Sequence, residues 1–140
     1  MSVEVALYTI LSSDATVTNL VGGSRSPRIY PIGIPQSKSV PAVVYQEISG
    51  GRPITCDGTR GYCESVFQVT CWDDDMLGAR VLSDAVRNAV DDYAGTPAGS
   101  GTEIMLASVV DEGDAINMDE ETETADRIGK RLDVEIRYVD

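Results

Sequence analysis

Residues 62–93 read YCESVFQVTCWDDDMLGARVLSDAVRNAVDDY, and two different periods meet inside them. From Tyr62 to Trp72 the chain alternates: Ser65, Phe67, Val69 and Cys71 fall on one face, Val66, Gln68, Thr70 and Trp72 on the other. A period of two predicts a strand whose Phe67 face enters the core and whose Trp72 face is half covered. After Asp73-Asp74-Asp75 the period lengthens. Leu77, Val81, Leu82, Ala85, Val86, Ala89, Val90 and Tyr93 form one broad stripe, with Arg80, Asp84, Arg87, Asn88 and Asp91 on the wet side. That pattern predicts an amphipathic helix over about residues 75–93, capped by the preceding acids.

Toward the N-terminus, Val3, Ala6, Leu7, Ile10 and Leu11 have helical spacing, and Asp14 can cap a second short helix carrying Val17, Leu20 and Val21. Gly22-Gly23 ends it. Five of the six prolines lie between Pro27 and Pro53, which rules out continuous helix there. Ile29-Tyr30 reads as a short extended piece, and Ala42 to Ser49 as a strand. Gly50-Gly51-Arg52-Pro53, Asp57-Gly58 and Gly61 mark a loop.

Beyond the helix, the segment from Gly95 to Gly101 is a breaker loop, and Glu103 to Val110 is a mostly apolar strand. The last strand, Arg131 to Val139, sends Leu132, Val134, Ile136 and Tyr138 inward and Arg131, Asp133, Glu135 and Arg137 outward. The expected fold class is α+β. One domain spans residues 1–140, with a mostly antiparallel or mixed sheet of about four strands packed against N-terminal helices and one long central helix.

With 140 residues and 42% hydrophobic content, a single core needs no disulfide or metal. Twenty-three acids against 11 bases give a net charge of −12, which disfavours nucleic acid phosphates and anionic membranes alike. No stretch approaches the roughly 18 to 20 apolar residues of a membrane span, and the N-terminus lacks the basic start of a signal peptide.

Histidine is absent, and Cys56, Cys63 and Cys71 form no Cys-x-x-Cys pair. Most structural zinc sites and every histidine-based triad are thereby excluded. No phosphate-binding loop and no nucleophile elbow occur. No cofactor and no catalytic residue is expected.

Two acidic groups remain. Asp73-Asp74-Asp75 either caps the helix or gathers a hard cation, but consecutive side chains diverge and such ions need six or more oxygens. Eight acids lie between positions 111 and 126 with no Lys or Arg among them, including Asp111, Glu112, Asp114, Asp119, Glu120 and Glu121. They read as a solvated hairpin tip or mobile connection, or as an acidic surface with a purpose. Arg25 and Arg28 form a small basic cluster, a surface feature or a contact to an acidic neighbour.

Taken in order, the pieces look like a known family. The words are Ala6-Leu7-Tyr8-Thr9-Ile10-Leu11, Leu20-Val21-Gly22, Arg28-Ile29-Tyr30-Pro31, Pro41-Ala42-Val43-Val44-Tyr45, Phe67-Gln68-Val69-Thr70-Cys71-Trp72, the helix through Ala85-Val86-Arg87, and Arg131-Leu132-Asp133-Val134-Glu135-Ile136. This order resembles the tail completion, or tail-to-head joining (tail terminator), family of long-tailed bacteriophages over nearly the whole chain. The Cys56-to-Cys63 region and the acidic stretch have no counterpart in that pattern.

The resemblance implies a structural protein of the virion, made in the host cytoplasm and placed at the head–tail junction. Its subunits would form a homohexameric ring that caps the tail tube and docks to a head connector or stopper protein. Alternatives are another neck protein (a head-closure adaptor or stopper) or an enzyme-class reading, a metal-dependent hydrolase on Asp73, Asp74 and Asp75. For the ring, the Gly50–Gly61 segment with Arg52, Pro53, Ile54 and the adjoining Tyr62 is the expected subunit-interface arm. Part of the 111–126 stretch, or the helix side bearing Asp84 and Asp91, is expected to line a channel that DNA traverses without specific binding.

Overall fold

A computed structural model describes residues 3–23, 25–34, 40–51, 62–118 and 125–139. Two helices open the chain, α1 (Val3–Ser13) and α2 (Ala15–Leu20). Asp14 caps α2 by accepting a hydrogen bond from the Val17 N–H at 3.0 Å, as its position predicted. Gly22 and Gly23 take φ of 105° and 95°, which a side chain would resist, and the chain leaves the helix there.

The strands are β1 (Ile29–Pro31), β2 (Ala42–Gly51), β3 (Cys63–Asp73), β4 (Tyr93–Gly95), β5 (Glu103–Met118) and β6 (Ala125–Val139), with α3 (Met76–Val90) between β3 and β4. They form one sheet in the order β1-β2-β3-β6-β5-β4. Among the described residues only the β1–β2 pair is parallel, so the sheet is mixed. The α+β class stands. Six strands replace the expected four because two are only three residues long, too short to show a period.

The core is built on one face. Ser65, Phe67, Val69 and Cys71 of β3 are buried, and the first three stand opposite Ile136, Val134 and Leu132 of β6. Ile104, Ala107 and Val109 of β5 continue the row. α3 lies over this face and adds Leu82, Ala85, Val86 and Val90, while α1 adds Val3, Ala6, Leu7, Ile10 and Leu11. Each fully buried side chain of Phe67's size contributes roughly 1.5–3 kcal/mol over its exposed state. Burial pushes the Cys71 thiol well above its ordinary value, and Cys63 is also buried and free. Cys56 lies outside the described residues.

Three features differ from the sequence expectation. The helix spans Met76–Val90 rather than 75–93, and Asp92, at φ 61°, turns the chain so that Tyr93 begins β4. Leu77 and Val81, assigned to the buried stripe, are instead 76% and 48% exposed. The helix rests on Ala79, Leu82, Ser83, Val86 and Val90, and a stripe as broad as the sequence offered cannot all face one sheet. Third, β5 runs to Met118 and β6 starts at Ala125, so residues 111–118 and 125–126 of the acidic stretch are paired strand at the distal end of a hairpin rather than a loose connection. Residues 119–124 lie outside the described residues. The outer face of β3 is half covered, as expected: Val66, Gln68 and Trp72 are half-buried, and Thr70 is buried.

Candidate assembly surfaces

Beyond Leu132 the core face changes character. Lys130 of β6 stands opposite Asp114 of β5, and their side chains bridge at 2.6 Å. One turn of α3 reaches the same place: Arg87 holds Glu112 of β5 at 3.1 Å and Asp84 of its own helix at 3.2 Å. Asp91, the C-cap of α3, accepts the backbone N–H of Val109 at 3.0 Å. On the opposite face, Arg131 bridges Asp133 at 2.7 Å and Asp111 at 3.5 Å. The hydrogen bond and charge of Asp133, then Asp111, raise the Arg131 pKa. Its guanidinium crosses directly over Gly113, where a Cβ would lie 2.6 Å from the nitrogen.

The fold therefore gathers Asp84, Asp91, Glu112 and Asp114, residues far apart in sequence, at one end of the sheet, with Asp111 on the other face of the same strand. It also supplies bases that the local sequence lacked: Arg87, Lys130 and Arg131 pair four of the five acids. This surface is an ion-pair lattice rather than a bare acidic wall. Asp119, Glu120 and Glu121 lie outside the described residues.

The interface-arm residues Arg52, Pro53 and Ile54 also lie outside the described residues; Tyr62, half-buried, leads directly into β3. Arg28 is committed to the fold, donating from Nε to the Pro41 carbonyl at 2.7 Å, whereas Arg25 is exposed. Asp75 caps α3 by accepting from the Gly78 N–H at 2.6 Å, and Asp73 accepts from the Asp74 N–H. Among the described residues no three acids or thiols are placed to hold a metal ion.

Two surfaces escaped the sequence reading. An apolar recess of about 330 Å³ lies between α2 and the start of α3, lined by Leu20, Pro41, Leu77, Val81 and Leu82 and bordered by Asp73 and Asp75. The i, i+4 pair Leu77 and Val81 at one margin of the stripe was the available signal. The second comprises free sheet edges. β1 covers β2 only at Val43–Tyr45, and β4 covers β5 only between Ile104 and Ala107. Among the bulges on these strands, one lies at Ile48 and one at Val110.

Comparison with known proteins bears on what these surfaces serve. A family described as "Tail completion protein gp17" matches residues 5–136. No curated protein matches the chain. Among solved structures, a chain from the virion of a native gene transfer agent (GTA) particle shares the fold. Its TM-score is 0.69 at 16% identity, with 98% of this chain and 94% of that chain covered.

Proposed function

This chain belongs to the tail completion protein gp17 family, and on that premise we propose that it caps the finished tail tube as a ring and joins the tail to the head connector. As a family member it is a structural protein of a phage virion, located in the tail and head–neck region. The match over residues 5–136 carries the reading, because it spans all three helices and all six strands nearly end to end.

The ring reading draws support from surface chemistry. A head-to-tail contact closes a ring only when a subunit offers two unlike patches. An apolar recess at the start of α3 offers one such patch. Six copies of a subunit with charge −12 around a channel would repel a passing duplex rather than hold it. We assign the lumen to the side bearing Asp84, Asp91, Glu112 and Asp114. The arm containing Arg52, Pro53 and Ile54, anchored at Tyr62, is the proposed second contact between copies. Protection of residues 50–62 from protease on assembly is the expected result there; equal cleavage in free and assembled protein refutes it.

The deciding experiment is negative-stain imaging of the purified protein with tail tubes lacking it and, separately, with DNA-filled heads. A ring at the tube end supports the tail-capping reading. Binding to heads but not to tubes moves the protein to the head-closure side of the neck. Acids mapped to the outer rim of the ring remove the lumen assignment while leaving the ring.

A further inference from the structure

The sheet ends at two unlike free edges on opposite borders. On one border, β2 continues past Tyr45 for six residues, 46–51, with no strand beside it among the described residues. On the other, β5 continues past the reach of β4, and Asp91 takes the Val109 N–H, leaving 110–118 as the edge among the described residues. Every second residue of such a stretch directs an unpaired N–H and C=O outward, a ready template for another strand. Each stretch also carries an exposed apolar side chain at a bulge: Ile48 is 49% exposed and Val110 is 56% exposed.

We propose that copies of this chain join edge to edge, the free stretch of β2 in one copy adding to the free stretch of β5 in the next. The inference rests on the ring reading above. The occupant is a second copy because the edges differ and each copy carries one of each, the condition for a head-to-tail contact. Charge discriminates between the possible pairings. Two β5 edges would set Asp111, Glu112 and Asp114 against their own kind, which disfavours a closed two-fold dimer. The β2 stretch Gln46-Glu47-Ile48-Ser49-Gly50-Gly51 brings only one acid to the β5 edge. On contact Ile48 and Val110 leave water together.

The free stretches lie at opposite ends of the sheet. Ile48 falls between residues level with Phe67 and Val66, whereas Val110, through Val134 and Asp133, falls between residues level with Phe67 and Gln68. Bringing the two side by side offsets successive copies by about one residue, roughly 3 Å along the strands. The strands thus tilt relative to the ring axis, as closed sheets require.

The test uses the full chain carrying Cys56→Ser, with Ile48→Cys and Val110→Cys singly and together, assembled on tail tubes lacking this protein. A short bifunctional maleimide is added, and products are separated by size under denaturing conditions. Both positions are exposed, and unchanged melting of the variants verifies that they fold. The double variant is expected to give a ladder from dimer to the full ring, and each single variant none. Rings at tube ends without a ladder overturn edge pairing while the ring reading survives. No rings with the Cys56→Ser parent overturn that reading and this inference together. A second pair of variants guards against poor crosslinking geometry. Ile48→Lys or Val110→Glu alone should reduce ring occupancy of tube ends at least tenfold, and the two combined should restore it. Full occupancy in the single variants also overturns the proposal.

Discussion

Between Glu103 and Val109, β5 sends Ile104, Ala107 and Val109 into the core beside Tyr138, Ile136 and Val134 of β6. Between Asp111 and Asp114 the same strand puts Glu112 and Asp114 on that face, beside Leu132 and Lys130. One strand pair thus has an apolar half under α3 and an ion-paired half beyond it. Burial dominates the first: a large side chain removed there leaves a cavity the neighbours cannot fill. In the second, exposed charges in high dielectric hold the strands in register at little net gain. The difference separates what makes this chain fold from what gives it a surface.

The largest expected effect lies at the centre of the apolar half. Phe67→Ala should cost about 3–5 kcal/mol, lowering the thermal midpoint by roughly 10 °C or more in a calorimetric scan. A loss below about 1 kcal/mol would mean that the core is centred elsewhere. Next comes the packing of Trp72 across the sheet on Gly129. A Cβ at position 129 would stand 2.9 Å from the indole, with backbone of Cys71 close by. Gly129→Val should cost about 1–3 kcal/mol, and Trp72→Ala combined with it should recover part of the loss.

The apolar half was the legible half. On β6, Leu132, Val134, Ile136 and Tyr138 alternate without interruption, so period and burial agree. On β5, bulges at Met105 and Val110 shift the register twice, so the segment reads as a continuous apolar run and its alternation disappears. The extension to Met118 was illegible for another reason. Its inward positions are Glu112 and Asp114, whose partners Arg87 and Lys130 lie 25 and 16 residues away. An acid neutralised across a sheet looks, in one dimension, like an acid in water. β4 was hidden because Asp92 takes a left-handed turn with no glycine to announce it. Among the candidate site residues, the grouping of Asp84, Asp91 and Glu112 came from topology, not from any local pattern.

An alkaline titration probes the apolar half more gently. Cys71 is held neutral by burial, its pKa well above the ordinary 9.0, and burial, then the charges of Tyr8 and Glu4, raise Tyr45 above 10.0. Raised folded values mean that the unfolded chain gives up these protons first. Their stabilising contribution is full below pH 9 and falls as pH climbs beyond it, by about 1.4 kcal/mol per unit for Cys71 alone. Urea melts between pH 8 and 11 should show this slope, and Cys71→Ala, though less stable throughout, should show a shallower one. Identical slopes would place the loss in other groups.

The smallest effect belongs to the ion-paired half, where smallness is itself the argument. Lys130→Met removes the bridge to Asp114 while keeping most of the stem that covers the end of the core. The expected cost is at most about 1 kcal/mol in dilute buffer, shrinking toward zero in molar salt, where screening falls to about 3 Å. Phe67→Ala, by contrast, should keep its full cost at every salt concentration. If Lys130→Met instead costs several kcal/mol independently of salt, the distal hairpin belongs to the folding core after all. Its charges would then be fixed by stability and not free to serve a neighbouring subunit. A small, salt-sensitive loss leaves that lattice available for contacts made only after the chain has folded, which is what an assembling subunit needs from its surface.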